Sequence, residues 1–188
     1  MVTPSTNITT PDVLKKWNID TAHTNINFAV SHMVISEVTG TFKEFNGTVE
    51  ASKEDFSDAK IEVLIQAKSI NTDSNDRDNH LRSGDFFDVA NHPVLKFKST
   101  KIEIKENGKL AITGNLTMRG ISKEIELDAK FKGKGVNPWG QIVAVFKATT
   151  KLHRKEWGLS WNAALEAGGF LVGEEIELVL NIELNEAK

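Results

Sequence analysis

Apolar residues recur at every second position along most of this chain, which is the spacing of a β-strand with one buried face. The alternating runs lie at 26–30, near 38–51, at 61–65, near 94–105, and over 110–118, 125–131, 142–148 and 176–182. Their number predicts about eight strands and an all-β protein.

Short turn sequences join these runs, so consecutive strands are expected to be antiparallel neighbours. Asn107-Gly108 is typical of a tight hairpin turn, and "MRGIS" at 118–122 is typical of a second one. A longer loop is expected over "KGKGVNPWGQ" at 132–141. Each of these segments separates two alternating runs, as a β-meander requires.

Two of the predicted strands change the side on which their apolar residues lie. The change falls near Lys43 or Glu44 in one strand and between Phe97 and Ile102 in the other. A β-bulge at each point would bend the strand and restore its apolar face to the core. Long bent strands favour a sheet that closes into an antiparallel barrel, because closure removes exposed edges. A two-sheet sandwich is the alternative.

The stretch "NTDSNDRDNHLRS" at 71–83 interrupts the strand pattern and predicts a short helix. It opens with residues that favour helix N-termini, and Asp78 precedes Arg82 by four positions, a favourable helical pair. The helix is expected to cap one end of the barrel, with Leu81, Phe86 and Phe87 facing inward. Two interpretations remain open, a structural plug or a lid whose arginines, Arg77 and Arg82, contact the head of a ligand.

Composition narrows the classes of protein that this chain can belong to. The 188 residues carry a net charge of -3 and no cysteine, which suits one globular domain without disulfides or thiol chemistry. The lysines are spread along the chain, so nucleic acid binding is not expected. Residues 1–20 lack a basic segment followed by an apolar run. The chain as written is therefore expected in the cytoplasm, or in the periplasm if an export signal has been removed.

Motifs for metal binding and catalysis are not found in the sequence. His23, His80, His92 and His153 are scattered, without the spacing of H-E-x-x-H. "GLSWN" at 158–162 lacks the second glycine of a G-x-S-x-G nucleophile elbow. We therefore predict no metal, no cofactor and no enzymatic activity.

The inward positions of the predicted barrel mix large apolar residues with small ones. Gly40, Gly114 and Ala144 share the inward face with several phenylalanines. Small residues that face one another leave volume, and aromatic side chains form an apolar wall around it. A slender apolar tube is one outcome and an ordinary filled core is the other, since an eight-stranded barrel can form either.

Several separated motifs resemble the YceI-like family in order and spacing, over about residues 17–184. They are "W-x-I-D-x-x-H-T" at 17–24, "F-x-V-x-H-M" at 28–33, "V-x-G-x-F" at 38–42, "RDNHLRSGDFFDVANHP" at 77–93, "GNLTMRGISKEIEL" at 114–127, "R-K-E-W-G-L-S-W-N" at 154–162 and "GGFLVGEEIEL" at 168–178. The one local departure is Trp157, where the family motif has phenylalanine.

The resemblance implies an extended eight-stranded antiparallel lipocalin-like barrel over 17–188, after an N-terminal extension over 1–16. It also implies that the barrel binds a long polyisoprenoid chain without covalent chemistry, as a carrier, storage or sequestering protein for a polyprenyl or quinone-precursor lipid. The alternatives are an enzyme or accessory factor in isoprenoid-lipid metabolism and an interaction module with a filled core. A homodimer and transient membrane contact are compatible with such a barrel.

The expected ligand-binding residues combine inward positions of the strands with the capping helix and the barrel mouth. They are Ile26, Phe28, Val30, His32, Phe42, Ile61, Val63, Ile65, Arg77, Leu81, Arg82, Phe86, Phe97, Leu116, Leu127, Ala144, Phe146, Trp157, Trp161 and Leu180.

Overall fold

Strands follow one another almost without interruption in the computed structural model, which describes residues 13–166 and 168–187. The strands are β1 (Lys15–Ile19), β2 (Asn25–His32), β3 (Ser36–Phe42), β4 (Phe45–Ala51), β5 (Lys60–Gln66), β6 (Ile70–Asn71), β7 (Val94–Ile104), β8 (Lys109–Met118), β9 (Ile121–Val136), β10 (Ile142–His153) and β11 (Val172–Glu186). One α-helix, α1, covers Asn75–Arg82, and short 3-10 helices cover Ala67–Ser69, Glu106–Gly108 and Arg154–Trp157.

Residues 1–12 of the predicted N-terminal extension lie outside the described residues. Its last two residues, Lys15 and Lys16, already pair with β4. In the described part of the chain, no helix combines the length and the apolar content needed to cross a bilayer.

Eleven strand segments form only eight strands, because three strands are each broken once. β1 and β2 lie in line along β11, with Ile19 opposite Leu184 and Ile26 opposite Leu180. β3 and β4 form the second strand, and β5 and β6 the third, since β3 pairs with β6 and β4 pairs with β5. The prediction of eight antiparallel strands is confirmed. The predicted bulge at Lys43 and Glu44 is a complete break between β3 and β4.

The sheet closes on itself. Hydrogen-bonded neighbours follow the order β1-β4-β5-β7-β8-β9-β10-β11, and β1 also pairs with β11. All of these pairings are antiparallel, so the barrel is confirmed and the two-sheet sandwich is excluded. The second predicted bulge is present as a register shift between Ser99 and Lys101.

One end of the barrel, the closed end, is filled by an aromatic cluster. Phe56, from the loop between β4 and β5, lies 5.3 Å from Trp17, 5.5 Å from Phe131 and 5.0 Å from Phe146, measured between ring centroids. The Lys134 ammonium lies 5.0 Å from the Phe56 ring centre. These rings pack against one another across this end of the barrel.

The opposite end, the helix end, is covered by α1, which confirms the predicted capping helix. The buried Asp78 carboxylate accepts hydrogen bonds from the Thr72 N–H at 2.9 Å and hydroxyl at 2.5 Å. Arg82 donates to the carbonyl oxygens of Lys68 at 2.7 Å and Ile70 at 2.8 Å. The predicted pair of Asp78 with Arg82 is therefore replaced by bonds that tie the helix to the end of the third strand.

Two inward glycines provide space for phenylalanine rings and do not leave open volume. A Cβ added at Gly114 would lie 2.5 Å from Phe97 Cζ and 2.6 Å from the Lys98 carbonyl oxygen. A Cβ added at Gly40 would clash with the Phe28 ring and lie 2.8 Å from Thr72 Cγ2. The expectation that these glycines create a cavity is wrong, because phenylalanine rings from the neighbouring strands occupy the space beside them.

Gly114→Ala is expected to destabilise the barrel by about 1 to 3 kcal/mol, because the new methyl group overpacks a site that has backbone on one side. Gly84→Ala is the control, since no heavy atom lies within 4 Å of its Cβ position. Urea denaturation of both variants checks the difference. Equal stability of the two variants would show that the Phe97 ring can move aside without cost.

Candidate ligand-binding cavity

The inner cavity lies in the middle of the barrel and has a volume of about 140 Å³. Among the described residues that line it, Thr24 alone is polar, and its hydroxyl accepts the Glu183 N–H at 3.0 Å. Because this hydroxyl is already hydrogen-bonded, the wall presents an apolar surface to a ligand. Nine of the predicted ligand-binding residues lie on it: Ile26, Ile61, Val63, Ile65, Phe97, Leu116, Leu127, Phe146 and Leu180.

The outer cavity lies at the helix end and has a volume of about 350 Å³. Apolar side chains form most of its wall, and four titratable residues, His32, Asp76, Arg77 and His80, also line it. Seven of the predicted ligand-binding residues lie here: Phe28, Val30, His32, Arg77, Leu81, Phe86 and Trp161.

The two cavities follow one another along β2. Ile26 and Phe28 both point into the barrel, since alternate residues of a strand point to the same side. Ile26 lines the inner cavity, and Phe28 lines the outer one. The Phe28 ring lies 5.9 Å from Phe42, which in turn lies 5.7 Å from Phe87. We call these three rings the aromatic layer. Along β2, this layer begins at Phe28, one inward position beyond Ile26 of the inner cavity.

A second aromatic group joins α1 to the loop that precedes β11. His80 lies edge-on to Phe86 at 5.1 Å and to Trp161 at 4.6 Å, and the latter two rings are 5.4 Å apart. His80 Nε2 lies 2.8 Å from an Asp85 carboxylate oxygen. This bond fixes the imidazole against both aromatic rings at the wall of the outer cavity.

The buried guanidinium of Arg154 positions the loop that carries Trp161. It donates to the carbonyl oxygens of Gly173 at 2.7 Å and Trp161 at 3.0 Å, and also to that of Leu159. Burial lowers the pKa of Arg154 from its usual value. Sequence reasoning missed this residue, although an arginine directly after a long strand and before a glycine-containing loop was a usable signal.

Four predicted ligand-binding residues lie away from both cavity walls. Phe42 belongs to the aromatic layer, and Arg82 is engaged by backbone carbonyls. Ala144 is fully buried in the barrel wall. Trp157, expected at the barrel mouth, is 1% exposed and donates its indole N–H to the Leu116 carbonyl oxygen at 3.0 Å. The indole that departs from the family motif is thus anchored in the core.

The fold also brings together three side chains with metal-ligating atoms, which the sequence spacing did not indicate. Asp20, His23 and Glu183 place these atoms within 4.8 Å of one another. The Asp20 carboxylate already bonds to His23 at 3.1 Å and to Asn185 at 2.9 Å. Although burial raises the pKa of Asp20, these hydrogen bonds and those from two backbone N–H groups hold it at about 2. The network joins the break between β1 and β2 to β11.

The motifs, the closed eight-stranded barrel and its capping helix agree with one protein family. The family model described as "YceI-like domain" matches residues 17–184. The chain belongs to the YceI-like family.

Several known proteins are similar to this chain in sequence, in fold or in both. A UPF0312 protein of Vibrio parahaemolyticus is 41% identical over 75% of this chain and 76% of its own length. A crystal structure of a Campylobacter jejuni YceI protein, 30% identical, covers 84% of this chain and 90% of that chain with a TM-score of 0.67. A polyisoprenoid binding domain from Saccharophagus degradans, 13% identical, covers 91% of this chain and 98% of that chain with a TM-score of 0.67.

Arg154→Lys is expected to destabilise this YceI-like barrel by about 3 kcal/mol, because one ammonium group cannot serve carbonyl oxygens on both sides of the loop. Lys155→Met is the control, since Lys155 forms only an exposed ion pair with Glu174. Chemical denaturation measures the difference. Faster exchange of the Leu171 amide hydrogen in Arg154→Lys would locate the loss in the loop, and wild-type stability in that variant would contradict the role of Arg154.

Proposed function

We propose that the protein binds one amphiphilic lipid with an isoprenoid-type chain inside the barrel. The observation that carries the proposal is the arrangement of the two cavities in line along β2. Among the described residues that line them, titratable side chains occur in the outer cavity and none occurs in the inner one. An apolar chain gains about 25 cal/mol for each Å² that it buries, so it can bind tightly without polar contacts.

The lipid would enter chain first, with its head group at the helix end. Arg77 is the best placed residue for a polar or anionic head, because it lines the outer cavity and remains exposed. Its Nε and Nη2 groups donate to Thr72 at 2.7 Å each, which fixes the guanidinium plane. A head group would then meet an oriented cation, and charge-assisted hydrogen bonds are the stronger kind.

The cavity volumes set a limit on the length of the chain. Pockets for small molecules usually have volumes of roughly 300 to 1,000 Å³. The outer cavity, at about 350 Å³, lies at the lower limit, and the inner cavity, at about 140 Å³, lies below it. A long chain must therefore occupy both cavities, and the rings of the aromatic layer must rotate to let it pass.

The same features favour non-covalent binding as a carrier, storage or sequestering function. Titratable groups lie at the rim, while the described residues of the inner wall include no acid or base. The one hydroxyl on that wall, of Thr24, already accepts the Glu183 N–H, and no neighbouring base among the described wall residues could activate it. The Saccharophagus degradans domain with the same fold is named for polyisoprenoid binding. We extend that ligand class to this chain on the basis of its own cavities.

Extraction tests the proposal directly. Protein purified under native conditions is extracted with organic solvent, and mass spectrometry of the extract is expected to detect an isoprenoid-type lipid. The same lipid should bind again to delipidated protein and remain chemically unchanged. An empty extract together with failure to take up an apolar fluorescent probe would refute the proposal in favour of a filled core, and turnover of the lipid would refute it in favour of an enzyme.

Phe28→Ala is expected to join the two cavities and shift preference toward longer chains, by at least about tenfold for each added isoprene unit. Burial of only two carbon groups of a unit, at ~0.8 kcal/mol apiece, already corresponds to about tenfold. Competition among geraniol, farnesol and geranylgeraniol measures the shift. Phe28→Leu is the control that keeps the layer largely filled. The same chain-length preference in wild type and Phe28→Ala would show that Phe28 does not divide the interior.

A further inference from the structure

A group of apolar side chains projects into solvent at the helix end of the barrel. Three of them, Met33, Val34 and Ile35, form the turn between β2 and β3, with exposed fractions of 44%, 72% and 89%. The fourth, Phe170, is 57% exposed and precedes β11. We call these four residues the apolar tip. Scattered exposed apolar residues are normal, but several on adjoining segments indicate an interaction site.

The apolar tip borders the mouth of the outer cavity. The Met33 N–H donates to the Leu171 carbonyl oxygen at 2.9 Å, so the two segments of the tip are hydrogen-bonded to each other. Both segments are flanked by residues of the cavity wall, His32 on the hairpin side and Leu171 on the loop side. Whatever surface the tip enters therefore lies next to the outer cavity.

The turn between β2 and β3 has apolar residues at positions whose backbone conformation is unfavourable for them. Met33 has a φ of 53° and Val34 a φ of 69°, a region that is strained for a β-branched residue. Two other hairpins of the same chain also contain two consecutive left-handed residues, and both place glycine second, as Gly108 and Gly120. Valine at this position adds strain that glycine would avoid. An exposed β-branched side chain at a position where glycine would be less strained is the mark of a side chain that itself makes an interaction.

We propose that the apolar tip inserts into the surface of a lipid bilayer with zwitterionic head groups, and that the bound lipid passes between this bilayer and the outer cavity. The inference rests on the proposed function, because the mouth matters only if the barrel binds a lipid. Insertion brings the mouth to the membrane, so the apolar chain need not cross water.

Area and charge favour a bilayer over a protein partner. Fully buried, four side chains of this size cover on the order of 500 Å², whereas a stable protein interface buries ~800 Å² on each partner. Residues 33–35 and 168–171 carry no charge, so they offer no ion pair that would specify a protein. The exposed acids Glu37 and Glu166 lie nearby in sequence. They would be repelled by an anionic membrane and tolerated by a zwitterionic one.

The test variant is Met33→Asn combined with Val34→Gly, which introduces the Asn-Gly pair that this chain already uses at Asn107 and Gly108. Because Asn and Gly favour the left-handed region, the variant should fold and melt at a temperature no lower than wild type. Trp139→Ser is the matched control. It removes a side chain that is 76% exposed in the turn between β9 and β10, at the closed end.

Flotation with phosphatidylcholine vesicles measures docking, and it needs no bound ligand. Wild type and Trp139→Ser should float with the vesicles, and the Asn-Gly variant should lose at least about tenfold in partitioning, since interfacial binding scales with buried apolar area. Absence of wild-type binding, or equal binding of wild type and the Asn-Gly variant, would overturn the proposal. A concentration-dependent dimer abolished in that variant, without vesicle binding, would overturn it in favour of a second copy of this chain.

Uptake of geranylgeraniol separates this inference from the proposed function. All three proteins should bind it equally when it is diluted from ethanol, and only the Asn-Gly variant should acquire it more slowly from phosphatidylcholine vesicles, by at least about tenfold. No binding from ethanol by wild type would refute the proposed function, while docking is still judged by flotation. Equal transfer rates from vesicles would overturn the role of the tip in lipid exchange.

Discussion

Closure of the sheet through the pairing of β1 with β11 is the constraint on which the rest of the structure depends. Once the ring is closed, each strand in it has a hydrogen-bonded neighbour on both sides, and its side chains can point only inward or outward. The interior then has a nearly fixed cross-section. Whether it holds side chains or a ligand is decided by a few inward residues, such as Phe28 and Phe97, and by the glycines beneath their rings.

A closed ring still has two ends, and this barrel closes them differently. Phe56 and its aromatic neighbours fill the closed end, where Lys134 lies over the rings and pairs with Glu54 at 2.6 Å. The helix end is covered by α1 and by the loop that Arg154 holds, and polar groups remain at that rim. The asymmetry gives the interior a direction, and the proposed orientation of the lipid, with its chain inside and its head at the helix end, rests on that direction.

The sequence predicted the elements well, because their signals are local. Period-two runs identified eight strands, the capping residues identified α1, and Asn107-Gly108 identified a hairpin. The candidate site was harder to predict, since parity states which face a residue occupies but not its level along the barrel axis. Ala144 has the inward parity of a wall residue and is fully buried, yet it is not among the residues that line the inner cavity.

The sequence by itself determined the all-β class, the strand number, the capping helix and the family, because periodicity, turn chemistry and ordered motifs depend on neighbours along the chain. Only the tertiary structure decided where the two cavities lie, that two inward glycines make room for phenylalanine rings, and which arginine of the helix end lines a cavity. Arg77, Arg82 and Arg154 all bond to backbone carbonyl oxygens, but only Arg77 lines the outer cavity and remains exposed. These features depend on residues that are distant in sequence. The strand register of the closed barrel brings them together, and no local sequence pattern specifies that register.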